Sequence, residues 1–362
     1  MKIAFVHDYL VKLGGAERVL ELLHEMYPEA PVYTFLYDEK GTKNKFKDWN
    51  IIPSFLNKIP IINKKLQFSR ALMPIAAEQF DLSNFDVVLS SCHAFGKGVI
   101  TKPETIHICY CHNPTRFLWF KADEAISQMG WLSRKLAPYV LSYLRMWDML
   151  AADRVDYYLA NSENVKKRIK KFYRKDSEVL YPPVDLERFE ISKDVKDYYL
   201  IVSRLEPHKR IDIAIAAFND LGIKLKIIGD GTELPYLKSL ASENIEFLGE
   251  LSDKEVTSYI SGCLAFMYPQ EEDFGITALE AQACGRPVIA YRKGGALETV
   301  IEGKTGEFFD FPTAQALAEK IKNFDHTKYD SKTIRSNAEK FSNEEFKKNI
   351  RKFIEEYYSK TR

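Results

Sequence analysis

Residues 264–291 read LAFMYPQEEDFGITALEAQACGRPVIAY: an apolar run at 264–268, an acidic loop, a helical stretch at 277–283, and a second apolar run at 288–291. Each run has the length of a strand, and Cys284-Gly285-Arg286-Pro287 ends the helix before the second one begins. A strand, a covering helix and a further strand in succession are the sequence form of a parallel sheet.

The same alternation extends in both directions. Upstream in this half, strands are expected at 199–203, 225–228 and 245–248, with helices at 211–220, 233–241 and 253–260. The first half repeats the pattern, with strands expected at 3–7, 32–36, 87–90, 106–111 and 157–160 and helices at 16–26, 132–150 and 162–172. Val19, Leu22, Leu23 and Met26 give the first helix its apolar face. YPPVD at 181–185 breaks the pattern with two prolines, and a charged stretch at 193–197 precedes the next apolar run, which marks a linker. A chain of 362 residues also exceeds what one core usually supports. The expected fold is α/β with two doubly wound, Rossmann-like parallel-sheet domains at 1–190 and 191–342, facing a central cleft at the carboxyl ends of their strands. A last helix, 343–362, carries Phe346, Ile350, Phe353, Ile354 and Tyr357 on one side and is expected to pack back toward the first domain.

Composition narrows the function. A net charge of +1 lacks the concentrated basic character of a nucleic-acid binder. Between Asp48 and Glu78 there are Lys58, Lys64, Lys65 and Arg70 and no acid, which suits a solvated cationic face or contact with anionic lipid or an anionic acceptor. The five cysteines form no CxxC pair and mostly lie in apolar runs, as reduced buried thiols do. His7 and Asp8 interrupt any leader-like start, and no run approaches a membrane span, so a cytoplasmic enzyme is expected, its oligomeric state undetermined.

Chemistry-bearing residues gather after strands. Gly14 and Gly15 precede the first helix, where bare backbone N–H groups suit a phosphate or sugar oxygen, and equally a plain tight turn. No GxGxxG follows this strand, which disfavours a dinucleotide oxidoreductase. Ser203 and Arg204 end the first strand of the second half, and Lys209 comes just before its helix. Two cations there can neutralise a diphosphate, Arg by its planar fork and Lys as a point charge. Glu272 in the acidic loop and Glu280 on the following helix do not share a helical side, so they can address different parts of one ligand. Gly294, Gly295 and Ala296 form a second glycine turn, and Thr305-Gly306 reads as a structural turn.

Taken together, Gly14-Gly15 with Glu17, Ser203-Arg204 with Lys209, and the E-x7-E pair Glu272 and Glu280 with Phe274 and Gly275 resemble glycosyltransferase family 4, which has the GT-B fold. HDYLVKLGGAERV at 7–19, CHNPTRFLW at 111–119, EEDFGITALEAQACGRPVIAY at 271–291 and GGALETV at 294–300 most resemble GDP-mannose-dependent mannosyltransferases of cell-surface polysaccharide synthesis. The resemblance implies a retaining transferase moving mannose from GDP-mannose to a glycan or lipid-linked saccharide, without a cofactor or required metal. It implies that Arg204 and Lys209 grip the diphosphate, Glu280 the ribose, and Glu272 the sugar. Ser203, Asp273, Phe274, Gly275, Gly294, Gly295, Ala296, Gly14 and Gly15 would complete the donor site. His112 would lie beside the transferred sugar, with Asp8 and Arg116 touching the acceptor. Asp273 departs from the commoner EGFG pattern. Alternatives are a UDP-sugar-dependent member of the family, a nucleotide-sugar epimerase and a catalytically silent sugar-nucleotide binder.

Overall fold

The computed structural model describes residues 1–59, 70–127 and 130–360. Lys64 and Lys65 of the basic stretch lie outside the described residues. The chain divides into two units, Met1–Tyr181 with Lys347–Arg362, and Pro182–Phe346. The chain thus passes from the first unit to the second between the Tyr and the first Pro of YPPVD.

The first unit contains β1 (Ile3–Leu10), β2 (Val32–Tyr37), β3 (Ile51–Pro53), β4 (Val87–Cys92), β5 (Ile106–Cys111), β6 (Tyr157–Ala160) and β7 (Glu178–Val179). They form one sheet in the order β3-β2-β1-β4-β5-β6-β7, parallel throughout. Helices cover both sides of such a sheet, which is why β1, β4 and β5 are almost wholly buried. One core joins Val6, Phe35, Phe95 and Trp147; another joins Cys109, Cys111, Tyr158 and Val165. The helix Glu163–Phe172 starts where the Ser162 side chain accepts the Val165 N–H at 3.1 Å. Tyr357 of the last helix, Asn343–Lys360, lies 3.8 Å from the Tyr157 ring and donates its hydroxyl to Glu178.

The second unit contains β8 (Tyr199–Val202), β9 (Leu225–Ile228), β10 (Ile245–Gly249), β11 (Phe266–Tyr268), β12 (Val288–Tyr291) and β13 (Gly306–Phe309). Its sheet runs β10-β9-β8-β11-β12-β13, again parallel. Ile201, Ile215, Phe218, Ile227 and Ile289 lie at its core. Both units therefore have the Rossmann strand order.

Two expectations are corrected. Thr305-Gly306 is not only a turn, because Gly306 opens β13, where a Cβ would come 2.0 Å from Val288 O on the neighbouring strand. The first strand continues past His7 to Leu10, so Asp8 lies within it. No described helix is long and apolar enough to cross a membrane.

Candidate functional site

In an open doubly wound sheet, ligands bind beyond the strand ends where the order reverses. That point falls between β1 and β4 in the first unit and between β8 and β11 in the second. Each carries a cluster of polar side chains.

In the second unit, β8 delivers Ser203 and Arg204, and a short 3-10 turn, Pro207–Lys209, delivers Lys209. Arg204 is exposed and Ser203 half-buried. Arg210 adopts φ 51°, a left-handed conformation that costs a non-glycine residue on the order of 1 kcal/mol, and it aims the turn before the helix Ile211–Leu221. Beyond β11, the loop carries Glu272, whose Oε1 forms a direct ion pair with Lys209 Nζ. Side-chain exposures of 12% and 20% make this pair shielded yet reachable.

The acidic loop is held from two sides. The Gly295 N–H donates to Glu272 O at 2.9 Å, and a Cβ on Gly295 would lie 2.2 Å from the Phe274 Cα. Lys293 pairs with Glu271 at 3.1 Å. Gly294, at φ 63°, and Gly275, at φ 100°, supply conformations that L side chains resist. Ala296 begins the short helix after this turn. Glu280 is buried on the helix Ile276–Ala283, and Asp273 is buried in the loop. Phe274 is buried, and its ring packs against Phe341, which anchors the loop.

In the first unit, β1 and β4 are in register with His7 opposite Ser91. His7 Nδ1 lies 3.1 Å from Ser91 Oγ, and Ser91 Oγ lies 2.8 Å from His112 Nε2. Glu17, on the helix Gly15–Met26, reaches His7 Nε2 at 3.4 Å. Burial raises the Glu17 carboxyl pKa, but the hydrogen bond to His7 and the nearby histidines outweigh it and hold the group below its usual value. Burial, with His7 and His93 nearby, pushes His112 well down, so its ring is neutral near pH 7. Gly14 and Gly15 are exposed at the start of the helix, and Arg116 is half-buried at the start of Arg116–Trp119.

Asp8 does not serve as expected. It is fully buried, and its two oxygens accept backbone N–H groups from His93, Ala94, Phe95 and Gly96 at 2.6, 2.8, 2.8 and 2.7 Å. Burial raises its carboxyl pKa, and His93 with those N–H donors brings it below its usual value. The carboxylate shapes the loop after β4, leaving no acceptor contact for it to make. A buried pair, Lys97 and Asp148 at 2.5 Å, secures the same loop to the helix Trp131–Asp153.

His7, Ser91, Asn113 and Gln270 are further buried polar residues near these strand ends that the sequence reading does not single out as candidates. Asn113 is 2% exposed, and neither amide atom has a partner among the described residues; Gln270 Oε1 is likewise buried without one. Polar residues ending apolar strand runs, as in CHNP and YPQ, were the available signal. Among the described residues no group of three or more His, Cys, Asp or Glu could hold a metal ion.

Residues 13–188 match the family model described as Glycosyltransferase Family 4, and residues 184–341 match that of Glycosyl transferases group 1. The chain is a GT-B-fold glycosyltransferase. An uncharacterized glycosyltransferase of Methanocaldococcus jannaschii is 32% identical to the transferase over 53% of this chain and 56% of that protein, so the match spans about half of that relative. An alpha-1,3/1,6-mannosyltransferase of Dictyostelium discoideum is 24% identical over 96% of this chain and 94% of its own. HepE of Anabaena in complex with UDP superposes on the transferase with a TM-score of 0.72, at 18% identity over 98% of this chain and 100% of that one. Its complex with UDP-glucose gives 0.70, at 20% identity and the same coverage. The narrower expectation of GDP-mannose and of a likeness centred on mannosyltransferases is corrected by these structures, in which the bound nucleotide is UDP.

Proposed function

We propose that the transferase uses a UDP-hexose and passes the sugar, with retained anomeric configuration, to a glycan or lipid-linked saccharide. The observation that carries this reading is the Lys209–Glu272 pair at the switch point of the second sheet, with Arg204 on the adjoining strand end. A diphosphate arriving at Lys209 competes with Glu272 for the ammonium group. The released carboxylate then accepts hydrogen bonds from hexose hydroxyls.

As the glycosidic bond breaks, charge develops on the departing diphosphate, and Arg204 and Lys209 stabilise it there. Glu280 accepts from the ribose hydroxyls. Ser203, Asp273, Gly275 and the Gly294-Gly295-Ala296 turn complete the donor contacts. Gly14, Gly15, His112 and Arg116 of the first unit serve the sugar and acceptor. The leaving diphosphate takes the acceptor's proton, which gives same-side transfer through an oxocarbenium-like state.

Peripheral membrane contact belongs to the same reading. On the helix Trp131–Asp153, Leu136, Tyr139, Tyr143, Met146 and Leu150 are exposed at spacings of three and four beside Arg134 and Lys135. Aromatic and basic residues on one apolar stripe suit an anionic lipid surface. Sedimentation with anionic but not zwitterionic vesicles would support this contact; sedimentation with neither removes it.

Donor identity is tested by acceptor-dependent release of nucleoside diphosphate from UDP-glucose, UDP-N-acetylglucosamine and GDP-mannose, with anomeric analysis of the product. A UDP-sugar should support turnover and give a retained anomer. Turnover with GDP-mannose alone, or an inverted product, refutes the proposal.

A further inference from the structure

We infer that Glu17, His7 and Ser91 form a hydrogen-bonded relay that fixes the tautomer of His112, placing its proton on Nε2 and leaving Nδ1 as an acceptor for a sugar hydroxyl. The inference deepens the proposed transferase reading and rests on it only for the meaning of the turnover measurement.

Elementary hydrogen-bond bookkeeping gives the direction. An ionised carboxylate only accepts, so Glu17 requires a proton on His7 Nε2, to which its Oε1 is 3.4 Å away. With a single proton on His7, at Nε2, the Nδ1 atom carries a lone pair and accepts the Ser91 hydroxyl proton across 3.1 Å. Ser91 Oγ, having donated, accepts from its other neighbour, His112 Nε2, across 2.8 Å. His112 Nδ1 has no hydrogen-bond partner among the described residues, and there the ring presents its lone pair.

The geometry is built in by the fold. His7 and Ser91 are cross-strand partners, and the His112 N–H donates to Cys92 O at 2.8 Å, which fixes the backbone next to the ring. His7 and Ser91 are fully buried, so water does not compete for the intervening bonds. Gly14 also contributes: a Cβ there would come 2.9 Å from Glu17 Oε2 and push the carboxylate aside. Other charged groups near the relay are Asp8 on β1, His93 after β4 and Arg116 after β5. Asp8 is held by backbone N–H groups and by His93, and so does not supply the acceptor that Glu17 supplies. The opposite bond order needs a doubly protonated His7.

Nitrogen-15 NMR of the full chain, labelled in histidine, reads the ring protonation directly at pH 7.5 without any substrate. His112 should show a protonated Nε2 and an unprotonated Nδ1, and His7 a protonated Nε2 alone. Glu17→Gln, whose amide can accept or donate, should give a mixture of His112 tautomers, and Ser91→Ala and Gly14→Ala should do the same. In the same variants kcat should fall about 10-fold to 100-fold, the range expected when a contact in the transition state is misaligned, with donor KM within twofold. A proton on His112 Nδ1 or a doubly protonated His7 in the unaltered protein overturns the relay, whichever nucleotide sugar is used. So does an unchanged tautomer with unchanged kcat in folded Glu17→Gln.

Discussion

Lys209 Nζ and Glu272 Oε1 meet in a direct ion pair, although one follows β8 and the other follows β11. The two strands are neighbours at the sheet's reversal point, so residues far apart in the chain become a single polar site. A cation and an anion already in contact can be separated by a ligand that carries a diphosphate and sugar hydroxyls close together.

Lys209→Ala should lower kcat about 100-fold, as loss of one donor to a developing oxyanion does. The ion pair is partly exposed, so its loss should cost no more than about 1 kcal/mol of stability. Steady-state kinetics beside a denaturant titration separates the two effects.

Gly295→Ala tests the close approach of the glycine turn to the acidic loop. Its Cβ would overlap the Phe274 backbone, so the loop carrying Glu272 must shift. Displacement of about 1 Å should reduce kcat/KM about 100-fold. Gly130→Ala, with nothing within 4 Å of the added carbon, should leave activity unchanged.

Asp148→Asn removes the charge that neutralises buried Lys97. Asp148 also accepts from Thr115 Oγ1 at 2.8 Å and Trp119 Nε1 at 2.7 Å. Breaking one side of a buried pair costs about 3–5 kcal/mol. All four tryptophans, Trp49, Trp119, Trp131 and Trp147, lie in the first unit, so their fluorescence should report an earlier denaturant midpoint.

Stability should fall with acidity through His107. Burial lowers its pKa to about 4, and Nδ1 is buried without a partner among the described residues. The unfolded chain takes up a proton near pH 6.5, whereas the folded protein resists it. The contribution is therefore complete above about pH 6.5 and is lost as pH falls toward about 4. Melting temperatures across this range should decline, and His107→Asn should flatten the decline.

Most strands were legible because a parallel sheet covered on both sides turns them into apolar runs. β3, β7 and β13 were not, being two to four residues long and, for β3, β7 and β13 alike, at or beside a sheet edge. GEFF in β13 also begins with a residue that ordinarily signals a turn. The residue types at Lys209 and Glu272 were readable, but their contact depends on which strands are neighbours. His7 and Ser91 gain meaning only from the β1–β4 register, which one sequence does not display. Asp8 was misread because its four N–H partners come from a loop about 85 positions away.

Calorimetric titration of UDP into the unaltered chain, Lys209→Ala and Glu280→Ala most directly tests whether the second sheet's reversal point holds the nucleotide. The unaltered chain should bind UDP, and each variant should bind it at least about tenfold more weakly, the loss expected from one charge-assisted contact. Equal affinity in all three proteins would contradict the account.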